Sequence, residues 1–138
     1  MEKKKIIILL ILLVAVIGLT ISTVNAKTYT KTVQFKESKY APLNKYVGHN
    51  NYVSTFYNSK YSAQLERSRA VLITIGNINE PGDDSYYNLV KAKVKYTKKV
   101  NGKTKTYFKT YKPDKWSSID TSAPKGWKPY SAFVTYKD

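Results

Sequence analysis

The stretch Lys91 to Lys112 reads KAKVKYTKKVNGKTKTYFKTYK and holds nine lysines with no acid to neutralise them. Lysine is a hydrated point charge without the planar fork that lets arginine grip a carboxylate or phosphate at two points. A row of lysines therefore attracts polyanions through its field rather than through shape, and the attraction weakens as salt rises. The candidate polyanion-binding residues are Lys91, Lys93, Lys95, Lys98 and Lys105, together with Trp127, which stands beside Gly126 between Lys125 and Lys128. An aromatic ring in such a loop can stack on a sugar or enter a lipid interface, whereas Trp116 is assigned to packing. The competing reading is a solvated face, because lysines on the outside of a strand keep a protein soluble and deter sheet-to-sheet pairing.

Other chemistry is poorly provided for. A hydrolase needs a nucleophile with a base, a carboxylate pair, or a metal that activates water. The chain has no cysteine and one histidine, His49, in the polar loop VGHNN. That excludes disulfides, thiolate metal sites and a His/Cys zinc cluster. Glu80, Asp83 and Asp84 gather in NEPGDD, but without the alternating acids and the bidentate glutamate of a calcium loop, so they read as a turn. Asp114 and Asp120 flank Trp116 and leave a carboxylate-based hydrolase as the weakest of three readings. Glycine-rich phosphate loops and serine elbows are absent. The expectation is a protein that is not an enzyme and uses neither metal nor cofactor.

The elements that must position the lysines announce themselves by alternation of period two. Val90, Ala92, Val94 and Tyr96 alternate with Lys91, Lys93 and Lys95. Asn101-Gly102 is the pair preferred in a two-residue type I′ turn, where both central residues need positive φ. Counting back from that turn puts Val100 opposite Lys103, Tyr96 opposite Tyr107 and Ala92 opposite Tyr111, with Lys109 falling opposite Val94 and Phe108 on the lysine side. A bulge near the turn would reverse those last two. Four further strands are read in 29–35, 51–57, 69–75 and 130–136. In the first, Tyr29, Val33 and Phe35 share a side; in the third, Val71, Ile73 and Ile75 do; the last sets Tyr130, Ala132, Val134 and Tyr136 on one side. Residues 41–51, 78–84 and 120–129 carry the Pro, Gly and Asn of connecting turns. Only 58–69 suggests one or two helical turns, with Tyr61 and Leu65 at i and i+4.

Six to seven short strands with almost no helix predict an all-β, small antiparallel β-sandwich of immunoglobulin-like type. The phrase GDDSYYNLVKAKVKY resembles the tyrosine corner of that architecture. Ahead of this domain, 27–138, the chain opens with MEKKK, a 19-residue apolar run from Ile6 to Val24, and Ala26. That layout predicts a signal peptide over 1–26 cut before Lys27, an uncleaved anchor being the alternative. Without residues 2–5, which hold three lysines and one acid, the 24 basic and 9 acidic residues become 21 and 8, a net charge of +13. A cysteine-free exported domain fits a prokaryotic envelope, secreted or at the cell surface. The expected partner is an anionic polymer of that envelope or another envelope protein, with an anionic membrane surface behind it; export and the inward tyrosines argue against nucleic acid. The alternative to an envelope module is a secreted cationic effector acting on membranes, although no amphipathic cationic helix is present to serve it.

Overall fold

Asn101 and Gly102 take φ of 51° and 75°, the left-handed pair that a type I′ turn demands. They join strand β5 (Leu89–Val100) to strand β6 (Lys103–Tyr111). The pairing is the one that follows from counting back along the sequence: Val100 meets Lys103, Tyr96 meets Tyr107, Val94 meets Lys109 and Ala92 meets Tyr111, with no shift of register. The computed structural model describes residues 27–78 and 88–137. The segment read as a signal peptide, the acids Glu80, Asp83 and Asp84, and the tyrosines of the GDDSYY phrase lie outside the described residues.

The remaining strands are β1 (Thr28–Gln34), β2 (Leu43–Gly48), β3 (Asn51–Asn58), β4 (Ala70–Asn77), β7 (Ile119–Ser122) and β8 (Lys128–Lys137). They form two antiparallel sheets of four, ordered β1-β8-β5-β6 and β2-β3-β4-β7. One apolar core joins them, with Val33, Ala92, Val94, Tyr96, Ala132, Val134 and Tyr136 from the first sheet meeting Val47, Val53, Val71, Ile73, Ile75 and Ile119 from the second. Tyr29 and Phe35 pack against this core as the alternation of β1 requires. Because β1 pairs with the final strand, the order differs from an immunoglobulin domain, whose first strand lies beside its second.

Four details correct the sequence reading. The described residues hold eight strands rather than six or seven, because the segments expected as connections at 41–51 and 120–129 hold β2 and, starting at Ile119, β7. Both are edge strands with little to bury: only Val47 is buried in β2 and only Ile119 in β7. The turn after β2 is built by His49 and Asn50 at φ of 53° and 62°, with Gly48 ahead of them at 94°.

The stretch 58–69 forms no helix. Asn58 sits directly opposite Ala70 in the β3–β4 ladder, so the segment between them must close on itself. The chain loops back instead, through an exchange of backbone bonds between Ser62 and Arg67 at 2.9 and 3.3 Å, with Glu66 and Arg69 at positive φ.

The last two corrections are bulges between β5 and β8. At one of them Leu89, not Val90, enters the core. At the other Pro129 faces Tyr96 and Ser131 faces Lys95, so the unpaired Tyr130 turns outward and is 53% exposed.

Candidate functional site

Charge is distributed between the sheets with little symmetry. The strands of the β1-β8-β5-β6 sheet carry one lysine in β1, five in β5, three in β6 and two in β8, eleven in all, and no acid. The strands of the other sheet carry one lysine, Lys45, and one acid, Asp120. This segregation arises because β5 and β6, the lysine-rich hairpin, join β1 and β8 rather than the meander β2-β3-β4.

Within the hairpin the pleat divides the lysines between two faces. Lys91, Lys93 and Lys95 point outward, away from the core that Ala92, Val94 and Tyr96 fill. Along β8 they meet Thr135, Phe133 and Ser131, and along β6 Lys93 meets Thr110 and Lys95 meets Phe108. The Lys93 ammonium stands 5.0 Å from the ring centre of Phe108 and the Lys95 ammonium 5.3 Å from that of Tyr130. A shallow depression of about 240 Å³ is lined by Lys91, Lys93, Phe133 and three threonines.

Lys98 and Lys105 lie opposite one another on the other face, in line with Tyr96 and Tyr107 but nearer the hairpin tip, where burial ends. Trp127 belongs with them: its ring is 5.8 Å from that of Tyr107, and the Lys98 ammonium lies 5.8 Å from it. The candidate residues thus form two groups, Lys91, Lys93 and Lys95 outside, and Lys98, Lys105 and Trp127 on the core side of the tip. Trp127 is half-buried against the core.

Trp116, assigned to packing, is instead 64% exposed. The Asp114 carboxylate accepts the N–H of Trp116 at 2.8 Å and of Ser118 at 3.2 Å. That closes a tight turn which buries Ser117 and Ile119 and leaves the indole outside, beneath the Lys115 ammonium at 5.3 Å.

The remaining polar groups have structural partners. Asp120 pairs with Arg67 at 2.9 Å. The Glu37 carboxylate accepts both the N–H and the hydroxyl of Ser59, and these bonds hold it below the usual carboxylate range. His49 stacks on Tyr29 with ring centres 3.7 Å apart. Tyr96 and Tyr111 share a hydroxyl–hydroxyl bond of 2.7 Å, and burial pushes Tyr96 well above the ordinary tyrosine range. Among the described residues no group of three or more His, Asp or Glu side chains is placed to hold a metal ion.

Of the features on the lysine face, alternation places Phe108 and Phe133 outside but sets Tyr130 inward, because a bulge leaves no mark in a period-two pattern. No protein-family description, characterised protein or solved structure matches the chain.

Proposed function

We propose that residues 27–138 are an exported, non-enzymatic module of a prokaryotic envelope, immunoglobulin-like in its two-layer build though not in strand order. In this reading residues 1–26 act as a cleaved signal peptide, and the domain associates with anionic polymers or other acidic components of the cell surface. The observation that carries it is the sheet with eleven lysines and no acid, set against a second sheet whose strands carry one charge of each sign.

The physical argument is one of spacing. Lysines two residues apart on a strand stand about 7 Å from each other. That is inside the Debye length of about 8 Å at physiological salt, so each neighbouring pair, Lys91 with Lys93 and Lys93 with Lys95, reinforces its field on a ligand rather than acting as two screened charges. Isolated surface lysines need no explanation. An uncompensated sheet of them works against compactness and calls for a counter-charge from outside.

The test is charge reversal of Lys91, Lys93 and Lys95 to glutamate, followed by measurement of how much protein stays on the surface of its own cells. Loss of retention with an unchanged fold supports the reading, and unchanged retention overturns it. Dye release from anionic vesicles by the wild type would favour the effector on membranes instead.

A further inference from the structure

The lysine face is not purely ionic. Phe108, Tyr130 and Phe133 are 44%, 53% and 37% exposed, and all lie on the outer side of the same sheet as Lys91, Lys93 and Lys95. Phe133 and Tyr130 come from β8 on one flank of the lysine column, and Phe108 from β6 on the other. Neighbouring strands stand about 4.8 Å apart, so the rings bracket the column at a width of roughly 10 Å.

Neither charge nor solubility accounts for these rings. A face that only repelled other sheets would be served by lysine and small polar residues, as elsewhere on it: Thr30, Thr32, Thr106 and Thr110 occupy equivalent outward positions on β1 and β6, and Ser131 on β8. A ligand made of phosphate or carboxylate alone would find nothing in a phenyl ring. A membrane would take rings clustered at a loop tip, whereas these sit in the middle of a sheet with ammonium groups 5.0 and 5.3 Å from two of them. What fits both features is a polymer that offers the apolar face of a ring and a negative charge in regular succession.

We infer that the outer face of the β1-β8-β5-β6 sheet binds an acidic polysaccharide, lying along β5, with its carboxylates on Lys91, Lys93 and Lys95 and its sugar rings against Phe108, Tyr130 and Phe133. The inference rests on the lysine sheet being the binding face and adds the chemical class of what binds there. Stacking against an aromatic face supplies apolar contact that a ring-free polyanion lacks. The lysines supply attraction common to both kinds of polymer.

The experiment uses the protein as recovered from expressing cells, immobilised, and compares three probes: polygalacturonate, inorganic polyphosphate and neutral dextran. Polygalacturonate is expected to bind more tightly than polyphosphate, and dextran not at all. Replacing Phe108 and Phe133 together by alanine should weaken polygalacturonate about tenfold, the change that 1.4 kcal/mol produces, and leave polyphosphate unchanged. Phe133→Leu, which keeps apolar bulk and removes the ring, is the companion variant should the alanines disturb the sheet; it should weaken polygalacturonate alone. Lys91, Lys93 and Lys95 changed together to glutamine should weaken both anionic probes. Equal binding of both polyanions, untouched by loss of the rings, would overturn the inference while leaving the lysine sheet as a binding face. Binding of neither would overturn the proposed function itself.

Discussion

The hydroxyl of Tyr136 donates to the carbonyl oxygen of Val47 at 2.6 Å, and the bond is buried. Val47 is the residue that the β2–β3 ladder skips between Tyr46 and Gly48, so a tyrosine of β8 bonds a carbonyl that the bulge takes out of the pairing. The contact ties the lysine-rich β1-β8-β5-β6 sheet to the β2-β3-β4-β7 sheet. Tyr136→Phe should destabilise the fold by about 1–3 kcal/mol, the cost of leaving a buried acceptor unsatisfied. Denaturant unfolding followed by tryptophan fluorescence checks this, and an unchanged midpoint would mean that water reaches Val47.

Two glycines should respond to alanine with opposite signs. Gly102 has φ of 75° with open space around it, so its cost is conformational alone, about 1 kcal/mol. Gly76 lies in β4 with nothing within 4 Å of an added Cβ and no positive φ. Gly76→Ala should stabilise by about 0.4–1 kcal/mol, mainly by restricting the unfolded chain. Thermal unfolding of the two variants beside the wild type gives both signs in one measurement.

Stability should fall in alkali. Burial and the bond from Tyr111 raise Tyr96 above its ordinary value of 10.0, and burial raises Tyr57 as well. Below about pH 9 both tyrosines are protonated whether the chain is folded or not. Above it the unfolded chain releases protons that the folded one keeps, so the unfolded state gains and stability declines as pH rises. The urea midpoint should be flat up to about pH 9 and drop beyond, with a shallower drop in Tyr96→Phe. A slope that Tyr96→Phe leaves unaltered would assign the effect elsewhere.

At neutral pH the same pair makes a second claim. Tyr111→Phe removes the partner of a hydroxyl whose ring is fully buried, and should cost about 1 kcal/mol or somewhat more. The double variant Tyr96→Phe, Tyr111→Phe should recover part of that loss, because no orphaned hydroxyl remains. A double-mutant cycle in urea provides the comparison.

The hairpin was legible to the residue because Asn101-Gly102 pins the turn, and a pinned turn sets the register of every pair behind it. The buried strands β4 and β8 were legible from Ile73 and Val134, whose alternation is dictated by the core; β3 was legible as a strand but not in its facing, because Val53, Phe56 and Tyr57 bury side chains of both parities. Edge strands escape that logic. Five of the six residues of β2 are not buried, so nothing in its pattern distinguishes it from a loop, and β7 has only Ile119 to declare itself. Tyr61 and Leu65 have helical spacing, yet Tyr61 is 64% exposed; the β3–β4 ladder decides the path of that segment and no local signal reports it. The candidate site was legible in its lysines, and the pinned register with period two already separates Lys98 and Lys105 from Lys91, Lys93 and Lys95. Lys98 and Lys105 share a sequence neighbourhood with Lys91 and Lys93 but not a face, and Tyr130 joins the lysines only through a bulge.

The lysine sheet as a binding face is tested most directly by locating the contact. Backbone amide shifts of the isotopically labelled protein can be followed as polygalacturonate is added at low and at high salt. The expected result is a set of shifts concentrated in β5, β8 and β6, around Lys93, Lys95, Phe108 and Phe133, that fades as salt rises. Shifts concentrated in β2, β3, β4 or β7, or none at any salt, would contradict it.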